Sequence, residues 1–289
     1  MIREKLRGTG VALVTPFTKE LAVDYDALQK LLDFVLEGNV NYLVVNGTTA
    51  ESPTTTAAEK TAILAFVKQH LNGRVPLMFG IGGNNTQQVI EAIAATDFDG
   101  VDALLSVSPA YNKPSQQGIY QHFLHIAEAS PVPVMLYNVP GRTSSNMTAD
   151  TTLKLALHDN IIGIKEASGN LEQCLLIARH RPENFMLVSG DDMMAVPMMS
   201  FGAEGAISVL ANAYPAKFSS MVQEALQGNF KAAADLLLSF VDLNPLLYEE
   251  GNPVGVKVLL ERFGICSPGV RLPLVEASAG LRDKIDKLL

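Results

Sequence analysis

Short apolar, β-branched runs alternate with longer stretches of helical period over about the first 230 residues, and the alternation repeats eight times. The runs are VALVT (11–15), NYLVVN (41–46), PLMFGI (76–81), VDALLSV (101–107), PVMLYN (133–138), IIGIKE (161–166), FMLVSG (185–190) and GAISVL (205–210). Near-continuous apolar runs suit parallel strands buried on both faces. Eight β–α units without a second sheet predict a closed (β/α)8 TIM barrel, with an open doubly wound sheet as the alternative. Beyond about Ala213 the pattern turns helical throughout, in MVQEALQGNFKAAADLLLSFVDLNPLLYEE, VGVKVLLERFG and LVEASAGLRDKIDKLL, with Gly or Pro breaks between. The expected division is a catalytic barrel over residues 1–229 and a C-terminal helical appendage over 230–289. No Gly/Ser linker separates them, so the appendage is expected to pack on the barrel.

Composition narrows the possible partners. The 289 residues fit one barrel of roughly 250 residues plus that appendage. With 48% hydrophobic and 18% charged residues, the chain can bury a large core and falls outside the disordered class. A net charge of −8 and the absence of any Lys/Arg-rich run leave nothing to neutralise a phosphate backbone, so no nucleic acid is expected. No apolar run approaches the roughly 20 residues that span a bilayer, and MIREKLRGTG lacks the apolar core of a signal peptide. A soluble, cytoplasmic protein without membrane contact is expected. Cys174 and Cys266 form no CxxC pair and are expected to be buried thiols.

In such a barrel, function sits at the C-terminal strand ends and the loops after them. There the chain carries Thr48 and Thr49 after strand two, Tyr111 after strand four, Tyr137 and Arg142 at strand five, Lys165 at strand six, and Asp191 and Asp192 after strand seven. Lys165 is the sharpest candidate. Desolvation at the end of an apolar strand lowers an ammonium's pKa, and a neutral amine can attack a carbonyl. Alternation puts Ile161, Gly163 and Lys165 on the inner face, with Gly163 leaving space beneath the lysine. The ordinary alternative is a lysine that snorkels to solvent or pairs with Glu166. Tyr137 shares parity with Met135 and would face inward beside Lys165, where a phenol could shuttle protons; a core tyrosine is the plain alternative.

Arg142, behind a Pro-Gly turn, suits two-point binding of a carboxylate, although a surface ion pair is the commoner fate of a loop arginine. Two T-x-x-E patterns, Thr48/Glu51 and Thr56/Glu59, could each cap a helix. The second precedes the better helical period, which leaves the Thr48 hydroxyl and the amides after it free to face a small carboxylate. Tyr111, in SPAYNKP, is held in a stiffened loop and could serve as a subunit contact. No HExxH or strand-end His-x-His appears, since His122 and His125 lie on a helical pattern; neither G-x-G-x-x-G nor a Walker A motif is present. The two carboxylates of SGDD disfavour phosphate where many barrels bind it.

Together the segments GTTAES, SPAYNKPSQQGIYQHF, YNVPGRT, GIKEASGN, SGDD, GAISV and NPVGVK resemble the dihydrodipicolinate synthase family, within the pyruvate-dependent class I aldolases, over nearly the whole length. The resemblance implies a homotetrameric barrel without a cofactor that condenses pyruvate with aspartate 4-semialdehyde on the route to diaminopimelate and lysine. It implies that Lys165 forms the pyruvate Schiff base and that Tyr137, Thr48 and Tyr111 form a proton relay, with Tyr111 entering from a neighbouring subunit. By the same resemblance Thr49 and the Thr48 amide hold the pyruvate carboxylate, Arg142 receives the semialdehyde carboxylate, and Gly190 and Ile207 supply backbone groups. N-acetylneuraminate lyase and 2-keto-3-deoxy sugar-acid aldolases are the rivals within the superfamily, and a silent small-acid-binding barrel is the rival outside enzymes. Ala50, Ala110 and Gly141 depart from the family pattern without touching a proposed catalytic side chain. Lysine-inhibited members resemble this chain at Ser52 and Asn84 but carry other residues at Ala57, Lys60, Gln88 and Ala110, so feedback by L-lysine is expected to be weak or absent.

Overall fold

The computed structural model describes residues 2–289. Its strands are β1 (Gly8–Ala12), β2 (Tyr42–Val45), β3 (Leu77–Gly80), β4 (Ala103–Val107), β5 (Val134–Asn138), β6 (Ile161–Glu166), β7 (Met186–Ser189) and β8 (Gly205–Ser208). They form a closed, all-parallel barrel in chain order, with β8 returning to β1. The helices are α1 (Ile2–Lys5), α2 (Tyr25–Glu37), α3 (Ala57–Leu71), α4 (Thr86–Ala94), α5 (Gln116–Ala129), α6 (Pro140–Thr143) and α7 (Ala149–Leu155). Then come α8 (Leu171–His180), α9 (Ala195–Met199), α10 (Pro215–Leu226), α11 (Phe230–Leu238), α12 (Val254–Arg262) and α13 (Ala279–Asp286). Among the described residues no helix is long and apolar enough to cross a membrane.

Strand alternation divides the apolar side chains into two cores. Ala12, Val44, Met78, Leu105, Met135, Val188 and Ile207 point inward and fill the barrel. Val11, Leu43, Phe79, Leu104, Leu136, Ile164 and Leu187 point outward and meet the helices. The outer core continues past α10 without a break, through Phe240, Leu247, Val254, Val256 and Leu259 to Leu281 and Ile285. The second T-x-x-E pattern does start a helix: Thr56 and Glu59 form a reciprocal capping box at α3.

Two strand expectations are corrected. The first strand runs from Gly8 to Ala12, earlier than VALVT at 11–15. Its glycines look like breakers in sequence, yet they permit close packing: a Cβ on Gly10 would lie 2.3 Å from the Tyr42 ring, and one on Gly205 1.9 Å from the Gly8 carbonyl oxygen. In β6 the register against β5 slips between Val134 and Met135, which pair with Ile161 and Gly163. Ile161 therefore joins the outer core while Ile162 packs against the inner one, so Ile161 does not share a face with Lys165. Nor does Gly163 leave an empty space, because a Cβ there would lie 2.6 Å from both Cβ and the carbonyl oxygen of Met186. The glycine brings β7 close to the strand that carries the lysine.

These contacts predict a contrast between two glycines. Gly10→Ala must displace a buried aromatic ring and should cost about 1–3 kcal/mol of stability. Gly141→Ala, whose Cβ would meet nothing within 4 Å, should stay within about 0.5 kcal/mol of the parent chain. Denaturant unfolding of the two variants checks the order; equal stabilities would count against the close approach at the barrel floor.

Candidate active site

Lys165 lies past the bulge, where regular pairing has resumed, and is directly opposite Tyr137 on β5. Both side chains face inward, and the lysine Nζ sits 4.2 Å from the centre of the Tyr137 ring. Only 6% of Lys165 is exposed. On its other side Gly190 follows the end of β7, and a Cβ there would fall 2.8 Å from Lys165 Cε and 2.9 Å from Cγ. Glycine is needed there so that the chain can lie against the lysine stem.

This enclosure sets the lysine's chemistry. Burial pushes its pKa down to about 8; the Asp192 carboxylate pulls it back up and the Arg142 guanidinium lowers it further. Near neutral pH an appreciable fraction is therefore unprotonated and nucleophilic. The Tyr137 phenol is raised by burial, while the Arg142 charge and a hydrogen bond with Thr48 act in the opposite sense. Lys165, Tyr137 and Thr48 thus form one cluster, with a nucleophile beside groups able to pass a proton.

The first T-x-x-E pattern makes no helix cap. Thr48–Ala50 form a single 3-10 turn that ends at Glu51 in a left-handed conformation (φ 56°). Thr49 is buried, and its hydroxyl accepts a hydrogen bond from Asn252 Nδ2 at 3.0 Å. A 450 Å³ cavity extends from Thr48 and Tyr137 toward Ser52, Ala57 and Lys60.

Arg142 lies in α6, immediately after β5, and is exposed at the mouth, close enough for its charge to act on both Lys165 and Tyr137. Ile207 faces inward on β8 and is buried. Tyr111 is not part of the cluster within this chain. Its side chain is 87% exposed, and its backbone is left-handed (φ 74°), with the amide donating to the Thr143 carbonyl at 3.3 Å.

The two aspartates of SGDD divide their tasks. Asp191 accepts from the Met193 amide and starts a short 3-10 turn. Asp192 is buried, and its Oδ2 accepts from the amides of Val209 (3.2 Å) and Leu210 (2.9 Å). Burial raises its pKa to about 6, against the hydrogen bonds from Ser208 and those amides. It is the anion that partly offsets the desolvation of Lys165. Glu166 does not pair with the lysine; it faces outward and accepts from Asn138 Nδ2 (3.0 Å), Gln173 Nε2 (3.0 Å) and the Ser168 amide (2.7 Å).

Residues without an assigned role in the sequence also reach the site. Tyr248 is half-buried, and its pKa is raised by burial and by Asp192 and Asp191, with Arg142 and Tyr137 also within electrostatic range. With Asn252 it comes from the helical C-terminal stretch, and only the NPVGVK segment gave a sign of it. His122 is buried on α5, where a ring nitrogen meets the Thr86 hydroxyl at 2.9 Å, and His125 is paired with Glu128 on the surface. Cys174 and Cys266 are buried free thiols.

A desolvated lysine facing a tyrosine across neighbouring strands, at the C-terminal mouth of a (β/α)8 barrel, defines a barrel equipped for imine chemistry. Residues 5–289 match the sequence profile of the Dihydrodipicolinate synthetase family, and the chain belongs to that family. It is 58% identical over 280 residues to the 4-hydroxy-tetrahydrodipicolinate synthase of Cytophaga hutchinsonii, covering 97% of this chain and 94% of that one. It is 48% identical over 285 residues to the synthase of Parabacteroides distasonis, covering 98% and 96%. The crystal structure of dihydrodipicolinate synthase from Aquifex aeolicus superimposes with a TM-score of 0.94 at 37% identity, over 98% of this chain and 97% of that one.

The electrostatics can be measured directly. Acetic anhydride acylates only a neutral amine, so the acetylation rate of Lys165 under trace labelling, followed by peptide mass, should rise with pH around a midpoint near 8. In Asp192→Asn the midpoint should move lower, because the attraction that favours the ammonium form is gone. A midpoint that stays put or rises would show that Asp192 does not act on the lysine.

Proposed function

We propose that the chain condenses pyruvate with L-aspartate 4-semialdehyde to give 4-hydroxy-tetrahydrodipicolinate, in the diaminopimelate and lysine pathway. The observation that carries this reading is the buried Lys165 facing Tyr137, in a chain 58% identical to a synthase of that name.

The neutral Lys165 amine attacks the pyruvate carbonyl carbon, and the carbinolamine loses water to give an iminium. The iminium withdraws electrons from the adjacent methyl group, which gives up a proton and becomes an enamine. The enamine carbon attacks the semialdehyde aldehyde, forming the new C–C bond, and the aldehyde oxygen takes up a proton. Attack by the substrate's own amino group then closes the ring and releases Lys165. Tyr137, Thr48 and Tyr111 relay the protons. The imine serves as the electron sink, so the reaction calls for no cofactor.

Thr49 and the Thr48 amide hold the pyruvate carboxylate, Gly190 and Ile207 offer backbone groups to the adduct, and Arg142 receives the semialdehyde carboxylate. Tyr111 acts in a neighbouring subunit of a cytoplasmic homotetramer; its near-complete exposure in the single chain supports that role. L-Lysine exerts weak or no feedback, since Ala57, Lys60, Gln88 and Ala110 offer neither a carboxylate nor an aromatic wall to a dibasic amino acid.

The purified protein should consume pyruvate with aspartate 4-semialdehyde and not with N-acetylmannosamine. Turnover with the amino sugar alone would move the reading to the lyase branch. Lys165→Ala should fall to background, and Tyr137→Phe should keep a residual rate about 10²–10⁴-fold below the parent. Near-normal turnover in Lys165→Ala would refute the imine mechanism. Submillimolar L-lysine should leave the rate unchanged, and strong inhibition there would overturn that part of the reading.

A further inference from the structure

We propose that a buried ion pair between Lys257 and Glu51 makes α12 part of the catalytic apparatus, acting as a positioning device for the turn that presents Thr48 and Thr49. The inference rests on the function proposed above, which gives that turn its substrate.

Lys257 Nζ donates to Glu51 Oε1 at 2.7 Å and to the Gly269 carbonyl at 2.7 Å, and it lies 4.3 Å from the centre of the Phe17 ring. The second carboxylate oxygen, Oε2, accepts from the Arg271 amide at 2.9 Å. Both side chains are sealed from water, at 0% and 1% exposure. No solvent molecule can take a partner's place, so the pair holds its geometry as a surface ion pair does not.

Glu51 is the residue that closes the Thr48–Ala50 turn. Its amide donates to the Thr48 carbonyl at 3.1 Å, and its backbone is in the left-handed region, where a residue with a side chain stays only when its surroundings hold it. The far side of the turn is pinned by the Thr15 hydroxyl, which donates to the Ala50 carbonyl at 2.8 Å. Asn252, five residues before Lys257, adds a tie of the same kind. Because the Thr49 hydroxyl accepts the Asn252 amide hydrogen, its own single hydrogen remains free to donate elsewhere. A continuous path of contacts therefore runs from α12 through Glu51 and Thr48 to Tyr137 and Lys165.

Stability alone gives little reason for two charges in this place, because apolar side chains of similar volume often serve a core as well. Charge and length instead fix where the carboxylate sits, and with it the turn. The test compares Lys257→Met, Glu51→Gln, the double variant and Glu51→Asp in the whole 289-residue chain. Each is assayed for kcat and KM with both substrates, for melting temperature, and for the pyruvate concentration that half-saturates borohydride trapping on Lys165, read by intact mass.

Each single neutral variant strands a buried charge and should lose both stability and activity. The double variant should melt within a few degrees of the parent, yet its kcat/KM for pyruvate should stay at least about tenfold low, with half-saturation shifted upward by a similar factor. Glu51→Asp keeps both charges but shortens the reach by one methylene group. It should show the same shift, and it serves as the deciding variant should the double one not fold. Parent-like kcat/KM and trapping in either variant would reduce the pair to a structural element and overturn the proposal. A parent chain that pyruvate and borohydride do not label at all would instead defeat the function itself, and the positioning role with it.

Discussion

The mouth of this barrel is organised by the difficulty of keeping one ammonium group where water cannot reach it. Lys165 is enclosed by the Tyr137 ring on one side and the Gly190 backbone on the other, and its remaining electrostatic support comes from Asp192. Closer support would hold the amine protonated and inert; none would leave a buried charge with no compensation. The distribution of neighbours follows from that balance. Glu166, adjacent in sequence, is turned to the outer face by strand alternation and occupied by Asn138 and Gln173. The carboxylate that does act on the lysine is buried and shares its negative charge with two backbone amides.

Much of the fold was legible because its main signal is local. Eight apolar runs appeared in order, and every strand but β1 begins and ends within two residues of the run that announced it. β1 was displaced because Gly8 and Gly10 carry no apolar side chain to mark a strand, whereas their missing side chains admit Asn41 and Tyr42. The β6 slip was hidden for a related reason. IIGIKE alternates perfectly on paper, and only its pairing with β5 shows that Ile161 and Ile162 change places. The inward direction of Lys165 survived because the slip occurs before Gly163.

The site was legible where one strand end or one loop defines it, as with Lys165, Tyr137, Thr48 and Arg142. It was hidden where residues distant in the chain converge. Glu51 looked like half of a capping box, and nothing local shows that its partner lies 206 positions away on a buried helix. Tyr248 sits in a stretch whose helical period suggested packing alone, and Asn252 was marked only by the NPVGVK segment. Asp192 was visible as a charge, but its bond to the β8 end, and hence its direction, required the closed barrel.

The same two groups that define the mouth also tie the stability of the fold to proton concentration. Asp192 has a folded pKa of about 6 against an ordinary 3.8, so between those values the native chain binds the extra proton, and this contribution to stability declines as pH rises through the window. Lys165 has a folded pKa of about 8 against 10.5, so there the unfolded chain binds the extra proton, and stability recovers as pH climbs from 8 toward 10.5. Between about 6 and 8 both groups are charged in a place that resists charge. Through these groups the fold carries its greatest thermodynamic burden in the neutral range, where the lysine stands ready to release its proton to chemistry.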